Sequence, residues 1–183
     1  MPTPTTDSPA RVRRIYEGHA GLYADSLVTE AAALLDAYLA TAEQHGLDRK
    51  AADEEGWLAV SAAEAIARKY GRPQTERTSA ELSQLVRELN TALIAEGLEV
   101  VPTQVPMGTG VAPLPGGPTW GMNGGLTVAL YSDSGWHLMV NAARTTVHTI
   151  HAPVTADGIR EVAELVHRVL RGDIADPFRR NRW

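Results

Sequence analysis

Three successive runs rich in β-branched, aromatic and aliphatic residues decide the fold of this chain: Leu126-Thr-Val-Ala-Leu-Tyr131, Trp136-His-Leu-Met-Val-Asn141 and Thr145-Thr-Val-His-Thr-Ile-His151. Residues of these types favour β-strands. The turn Ser132-Asp-Ser-Gly135 joins the first two runs and ends in a glycine that tolerates a positive φ. The stretch from Thr155 to Leu170 then has apolar residues at helical spacing. We therefore predict a β-meander that is closed by a helix.

The N-terminal half is predicted to be helical, because its apolar residues recur every three or four positions. Three such stretches run from Leu27 to Ala42, from Leu58 to Tyr70 and from Leu82 to Leu93. Thr78 and Glu81 have the spacing of a capping box before the third stretch. The predicted fold class is α+β, in which an N-terminal layer of about three helices packs on a small antiparallel meander covered by a C-terminal helix.

The same patterns predict how the chain is organised. Residues 1–10 contain three prolines and are expected to form a disordered leader. Residues 11–172 are expected to form a single α+β domain, with a helical half over 11–97 and a strand-rich half over 98–172. Residues 173–183 form a basic and aromatic tail.

A glycine- and proline-rich stretch from Met107 to Gly125 shows no hydrophobic period. We predict a long loop there, or a mobile hairpin tip that joins the first strand to the meander, and long loops without secondary structure are often functional. Trp120 and Met122 could give this loop apolar contact with a ligand. The preceding residues 98–105 are predicted to form an edge strand, because Pro102 has no backbone N–H to donate to a neighbouring strand.

Composition excludes some classes of function. The chain has no cysteine, so disulfides, thiolate nucleophiles and zinc–thiolate sites are ruled out. The net charge of -5 argues against a general nucleic-acid binder. A signal peptide and a membrane span are not predicted, so a cytoplasmic protein is expected. Only two lysines, with abundant alanine and glycine, suggest a high-GC bacterial source.

The histidines are the first candidates for chemistry. A two-residue turn at Ala142-Ala143 would place His137 opposite His148, with Cβ atoms about 5 Å apart. Two imidazoles at that distance could bind a metal or share a proton. A further donor is not evident, although His151 is close in sequence, and we favour ordinary residues of a sheet surface.

Other motifs are weaker. Met107-Gly-Thr-Gly110 lacks the third glycine and the helix of a dinucleotide site, and neither a P-loop nor a GxSxG elbow is present. We therefore predict no catalytic residue, no cofactor and no metal. Basic residues cluster near both ends, and the C-terminal cluster is mixed with aromatic residues that suit nucleic-acid stacking or docking into a partner. These clusters are Arg11, Arg13 and Arg14, and Arg179, Arg180 and Arg182 with Trp183.

The predicted function is a non-catalytic binding or regulatory protein that acts through protein–protein contacts. Two alternatives stay open: a small enzyme with its site between the glycine- and proline-rich loop and the histidine-bearing strands, and a nucleic-acid-associated accessory protein of a bacterial, phage or plasmid system. The residues expected to contact a ligand or partner are Trp120, Met122, His137, His148, His151, Arg179, Arg180, Arg182 and Trp183.

Overall fold

The computed structural model describes residues 7–53, 56–70, 77–105, 108–114, 125–140 and 147–174. These residues form helices and a six-stranded mixed sheet, which confirms the α+β class. The chain divides into two compact units. The helical unit comprises Met1–His19 and Asp25–Lys69, and the sheet unit comprises Ala20–Ala24 and Tyr70–Trp183. The predicted packing of an N-terminal helical layer on the sheet, and the predicted domain limits, stay predictions.

The described helices of the helical unit are α1 (Ser8–Gly18), α2 (Asp25–Gln44), α3 (Arg49–Ala52) and α4 (Trp57–Tyr70). Helix α1 begins inside the stretch predicted as a leader, because the Asp7 side chain accepts from the amide of Ala10 and caps it. Residues 1–6 of that stretch lie outside the described part. Asp48 caps only the short α3, and α4, which contains the stretch predicted over Leu58 to Tyr70, starts at Trp57.

Two polar contacts tie the helices of this unit together. The hydroxyl of Tyr16 in α1 donates to the carbonyl of Ala63 in α4 across 2.8 Å, and this bond is buried. Arg11 forms an ion pair with Asp53, whose side chain is only 5% exposed. Removing either partner would leave the other charge unpaired and only partly exposed to water, which is unfavourable. The ion pair therefore helps to fix the position of α1 within the helical unit.

The sheet unit contains strands β1 (Leu22–Tyr23), β2 (Val101–Val105), β3 (Gly108–Leu114), β4 (Leu126–Tyr131), β5 (Gly135–Val140) and β6 (Val147–His151). Their order is β1-β6-β5-β4-β3-β2, in which β2 to β6 form an antiparallel meander and β2, with Pro102, lies at an edge. Strand β1 pairs with β6 in parallel, so the sheet is mixed. A strand of two residues is too short to show a period, and the sequence did not predict it.

Strand β3 corrects the prediction of a loop over Met107 to Gly125. Residues 108–114 pair with both β2 and β4, whereas residues 107 and 115–124 lie outside the described part. The backbones of β3 and β4 lie very close together at Gly110, where a Cβ atom would be 2.5 Å from the carbonyl oxygen of Val128. Glycine is rare in strands generally, but here it is the residue that lets two backbones meet.

The pleat gives the sheet two different faces. On the covered face, Leu130, Trp136 and Ile150 form a row across three strands, and each is at most 2% exposed. The other face carries Tyr23 and Tyr131, and we call it the tyrosine face. Helix α5 (Ser79–Ala95) lies on the covered face beside Gln104 and Thr109, and α6 (Ala156–Arg171) packs against α5.

The predicted ends of both helices are confirmed. Thr78 and Glu81 form a complete capping box at the start of α5. Thr155 caps α6 by accepting from the amide of Gly158, and Gly172 ends it in the left-handed conformation at φ 82°. The buried stripe of α6 includes the predicted Ile159, Val162, Ala163 and Val166, together with Leu165 and Val169, whereas Leu170, which was also predicted to be buried, is half-buried.

We predict that Gly110→Ala destabilises the sheet unit by about 1–3 kcal/mol, because the new methyl group must push β3 away from β4. Gly18→Ala is the matched control, since a Cβ there would meet no atom within 4 Å. Urea unfolding followed by circular dichroism measures both. An unchanged midpoint for Gly110→Ala would show that β3 does not lie against β4 as described.

Candidate functional site

The register between β5 and β6 overturns the predicted histidine pair. His137 lies opposite Thr149, and His148 lies opposite Leu138. This register differs by one residue from the one that a turn at Ala142-Ala143 would set, and a shift of one residue sends a side chain to the other face. His148 is therefore buried on the covered face at 1% exposure, and His137 lies on the tyrosine face.

The structure instead gathers two histidines and two tyrosines on the tyrosine face, near the turn between β4 and β5. The rings of Tyr131 and His137 meet edge to face, with centroids 5.2 Å apart and planes at 80°. The rings of Tyr23 and His151 are stacked 4.5 Å apart with planes at 3°. We call these four residues the Tyr/His cluster. It draws on β1, β4, β5 and β6, so only the folded sheet assembles it.

His137 is held by the turn that precedes its strand. Its Nε2 atom lies 2.9 Å from the hydroxyl of Ser134, and that hydroxyl donates to a carboxylate oxygen of Asp133 at 3.0 Å. A serine hydroxyl has one proton, so His137 is the donor in its bond to Ser134. Its Nδ1 atom is buried and has no hydrogen-bond partner among the described residues. Burial lowers the pKa of His137, although Ser134 and Asp133 oppose part of that effect.

This geometry does not activate Ser134 as a nucleophile. In a catalytic triad the serine gives its proton to the histidine, and a carboxylate accepts from the other ring nitrogen. Here Asp133 accepts from the serine itself, so the three residues stabilise a turn. The described residues also contain no group of three or more histidine, aspartate or glutamate side chains that could hold a metal ion.

The two tyrosines of the cluster are uncharged at neutral pH. Burial raises the pKa of the Tyr23 hydroxyl. Burial and the nearby charge of Asp133 raise the pKa of the Tyr131 hydroxyl, which lies 3.2 Å from the sulfur of Met139. The cluster therefore offers neutral hydroxyls, aromatic rings and a thioether to whatever binds there.

Several predicted contact residues cannot be placed. Trp120, Met122, Arg179, Arg180, Arg182 and Trp183 lie outside the described residues. In the N-terminal basic cluster, Arg11 is paired with Asp53, and Arg13 lies 3.2 Å from a carboxylate oxygen of Asp25. These two charges are compensated within the helical unit, which leaves less positive charge for a nucleic acid than the sequence indicated.

Comparison of the chain with protein-family models, with curated proteins and with solved structures gave no match. The assignment of functional residues therefore depends on the geometry and chemistry of the described side chains. No helix in the described part of the chain has both the length and the apolarity needed to cross a bilayer.

We predict that protonation of His137 lowers the free energy of unfolding as the pH falls. Its pKa in the folded state is below the ordinary value of about 6.5, so the unfolded chain takes up the proton first. The stability contributed by the neutral imidazole is present above that ordinary value and is lost as pH falls towards the folded-state pKa. His137→Gln keeps an N–H near the position of Nε2 and should lose less stability than the wild type between pH 7.5 and 5.5.

Urea unfolding at several pH values measures this difference. His19→Gln, at an exposed position beyond α1, is the control and should follow the wild-type profile. Parallel profiles for the wild type and His137→Gln would mean that His137 is not held in its neutral form.

Proposed function

We propose that this chain is a non-catalytic binding protein that recognises a partner protein through the tyrosine face of its sheet. The observation that carries the proposal is the absence of charge among the described strand residues of that face. These residues are Tyr23, Val101, Thr103, Val105, Gly108, Gly110, Ala112, Thr127, Ala129, Tyr131, Gly135, His137, Met139, Thr149 and His151.

A sheet face that is exposed to water usually carries polar side chains, which alternate along each strand with the apolar side chains of the core face. Charged side chains are common among exposed residues. The centre of a protein–protein interface is instead depleted of charge and enriched in tyrosine and methionine. Tyr131, Met139 and Thr149 are half-buried and lie on adjacent strands. Strands hold these side chains in place, which reduces the entropy lost on binding.

The size of the face suits the centre of such an interface. Five antiparallel strands spaced about 4.8 Å apart and roughly 18 Å long cover about 430 Å². That area is about half of the roughly 800 Å² that each partner buries in a standard interface. Only part of this area is accessible, because Thr127, Ala129 and His137 at its centre are 5%, 0% and 9% exposed. The half-buried residues around them, which would make the contact, include Tyr23, Tyr131, Met139, Thr149 and His151. Residues around the sheet would supply the rim.

The partner surface is expected to be uncharged as well, because an unpaired charge buried against this face would lose its hydration. The phosphates of a nucleic acid need cations, and the described strand residues of the tyrosine face supply none. This face thus favours a protein partner over a nucleic acid. A regulatory role and a cytoplasmic location in a bacterial cell complete the proposal, on the basis of the sequence.

Site-specific photo-cross-linking tests the proposal. Benzoylphenylalanine in place of Tyr131 should cross-link a discrete protein in an extract of the source cells. The same group in place of Trp57, a 66% exposed aromatic residue of the helical unit, is the control and should not capture that protein. Identical captures at both positions would contradict the proposed face.

Thr149→Lys should weaken binding of the captured protein by about 30-fold or more, because an unpaired interfacial charge costs roughly 2–5 kcal/mol. Thr91→Lys introduces the same charge at an exposed position of α5 and should leave affinity unchanged. Isothermal titration with the purified partner measures both variants. Wild-type affinity for a folded Thr149→Lys protein would exclude the tyrosine face as the contact.

A further inference from the structure

His137 combines burial with a proton-binding nitrogen that the fold leaves unused. The residue is only 9% exposed. Its Nε2–H donates to the hydroxyl of Ser134 at 2.9 Å, so the lone pair of the neutral imidazole is on Nδ1. The Nδ1 atom is buried and has no hydrogen-bond partner among the described residues. A proton that binds to His137 must therefore bind at this buried nitrogen.

The titratable groups that the described residues place around His137 come from three strands and a turn. They are Tyr131 of β4, Asp133 of the turn between β4 and β5, His151 of β6 and Tyr23 of β1. The carboxylate of Asp133 reaches His137 only through the hydroxyl of Ser134, on the Nε2 side of the ring. The residues directly opposite, Ala129 and Thr149, carry no charge. None of these groups accepts a hydrogen bond from Nδ1, so an imidazolium at this place would have an unpaired N–H.

A buried cation with an unpaired N–H is unfavourable. Moving the side chain away disturbs less of the fold. The ring is held by its bond to Ser134 and by its edge-to-face contact with Tyr131, whereas the backbone of β5 stays paired with β4 and β6. One hydrogen bond and one ring contact are together a smaller loss than a buried, unpaired charge. Burial accordingly lowers the pKa of His137, and the ring stays neutral and in place at neutral pH.

The surroundings of the ring give it access to water and connect it to Tyr131. Ser134 is half-buried, and the adjoining Ser132 and Asp133 are exposed, so solvent lies close to the ring. Tyr131 is half-buried on the tyrosine face, and its ring centroid lies 5.2 Å from that of His137. If the imidazole leaves, one side of the Tyr131 ring loses its neighbour. A change of charge at His137 therefore becomes a change of shape at the tyrosine face.

We propose that His137 is a pH switch of the tyrosine face. In its neutral form the imidazole connects the turn between β4 and β5 to Tyr131. Protonation at Nδ1 moves the ring into water while the sheet stays folded, and Tyr131 then loses the contact that positions it. Binding of the partner is lost as a result, and this consequence rests on the proposed function.

NMR spectroscopy of the labelled full-length protein tests the switch without any partner. The pH is lowered from about 8 to about 5, which brackets the ordinary histidine pKa. At neutral pH His137 should carry a proton on Nε2 and none on Nδ1. As the pH falls, nuclear Overhauser effects between the rings of His137 and Tyr131 should disappear with the midpoint of His137 protonation. Protection of the turn amides against hydrogen exchange should fall at least about tenfold, while far-UV circular dichroism stays unchanged.

Two pairs of variants separate this switch from other titrations. His137→Gln keeps an N–H for Ser134 but binds no proton, so the loss of protection at the turn should vanish. His151→Gln, on the same face, is its control and should keep the wild-type transition. Asp133→Asn removes a negative charge that favours the imidazolium and should move the midpoint to lower pH. Glu99→Gln, at an exposed position before β2, should leave the midpoint unchanged.

Photo-cross-linking at two pH values tests the consequence for binding. Benzoylphenylalanine in place of Tyr23 leaves both rings of the switch intact. It should capture at least about tenfold less partner at pH 5.5 than at pH 7.5, as expected for a histidine-controlled contact. The same experiment in a His137→Gln background should give equal capture at both pH values.

Each result supports or overturns a defined part of the proposal. Ring contacts that persist after His137 is protonated overturn the switch, and so does a wild-type transition in His137→Gln. Loss of the circular dichroism signal at the same midpoint overturns it too, because the sheet would then unfold. A switch seen by NMR together with equal capture at both pH values overturns its role in binding. A switch seen by NMR with no captured protein at any pH supports the switch and contradicts the proposed function.

Discussion

The cross-strand register of β4, β5 and β6 is the constraint on which the rest of the sheet unit depends. Leu130, Trp136 and Ile150 share one row, so the largest buried side chain of the sheet has an aliphatic neighbour on each side. Because side chains alternate between faces, this row also decides what the other face contains. A slip of one residue would bring His137 into the core. The register therefore creates both the hydrophobic core and the uncharged tyrosine face.

Helix α5 serves the fold and lines a pocket with different parts of one element. Its apolar stripe, which includes Leu85, Leu89 and Leu93, is buried. Its first turns place Ser79 and Ser83 around a pocket of about 190 Å³ that Gln104 and Thr109 line from the sheet. The capping box fixes where the helix begins and hence where these serines lie.

Electrostatics sets the character of the tyrosine face, since its described strand residues include no aspartate, glutamate, lysine or arginine. On the tyrosine face, burial raises the pKa of Tyr23 and Tyr131 and lowers the pKa of His137. Each shift favours the uncharged form of its group. The contact that we propose for the tyrosine face would thus depend on shape, hydroxyl groups and aromatic rings, and it should vary little with ionic strength.

The sequence by itself determined the elements whose signals are local: the capped helices α5 and α6, the turn at Ser132 to Gly135 and the strands that flank it. Tertiary structure alone decided the rest. Gly108 and Gly110 of β3 are explained by the closeness of the β4 backbone, which leaves no room for a side chain. Strand β1 is a strand only because β6 pairs with it. His137 and His151 were named as candidates, but their partners Tyr131 and Tyr23 come from other strands. Register and cross-strand contact depend on residues far apart in the chain, which no local pattern encodes.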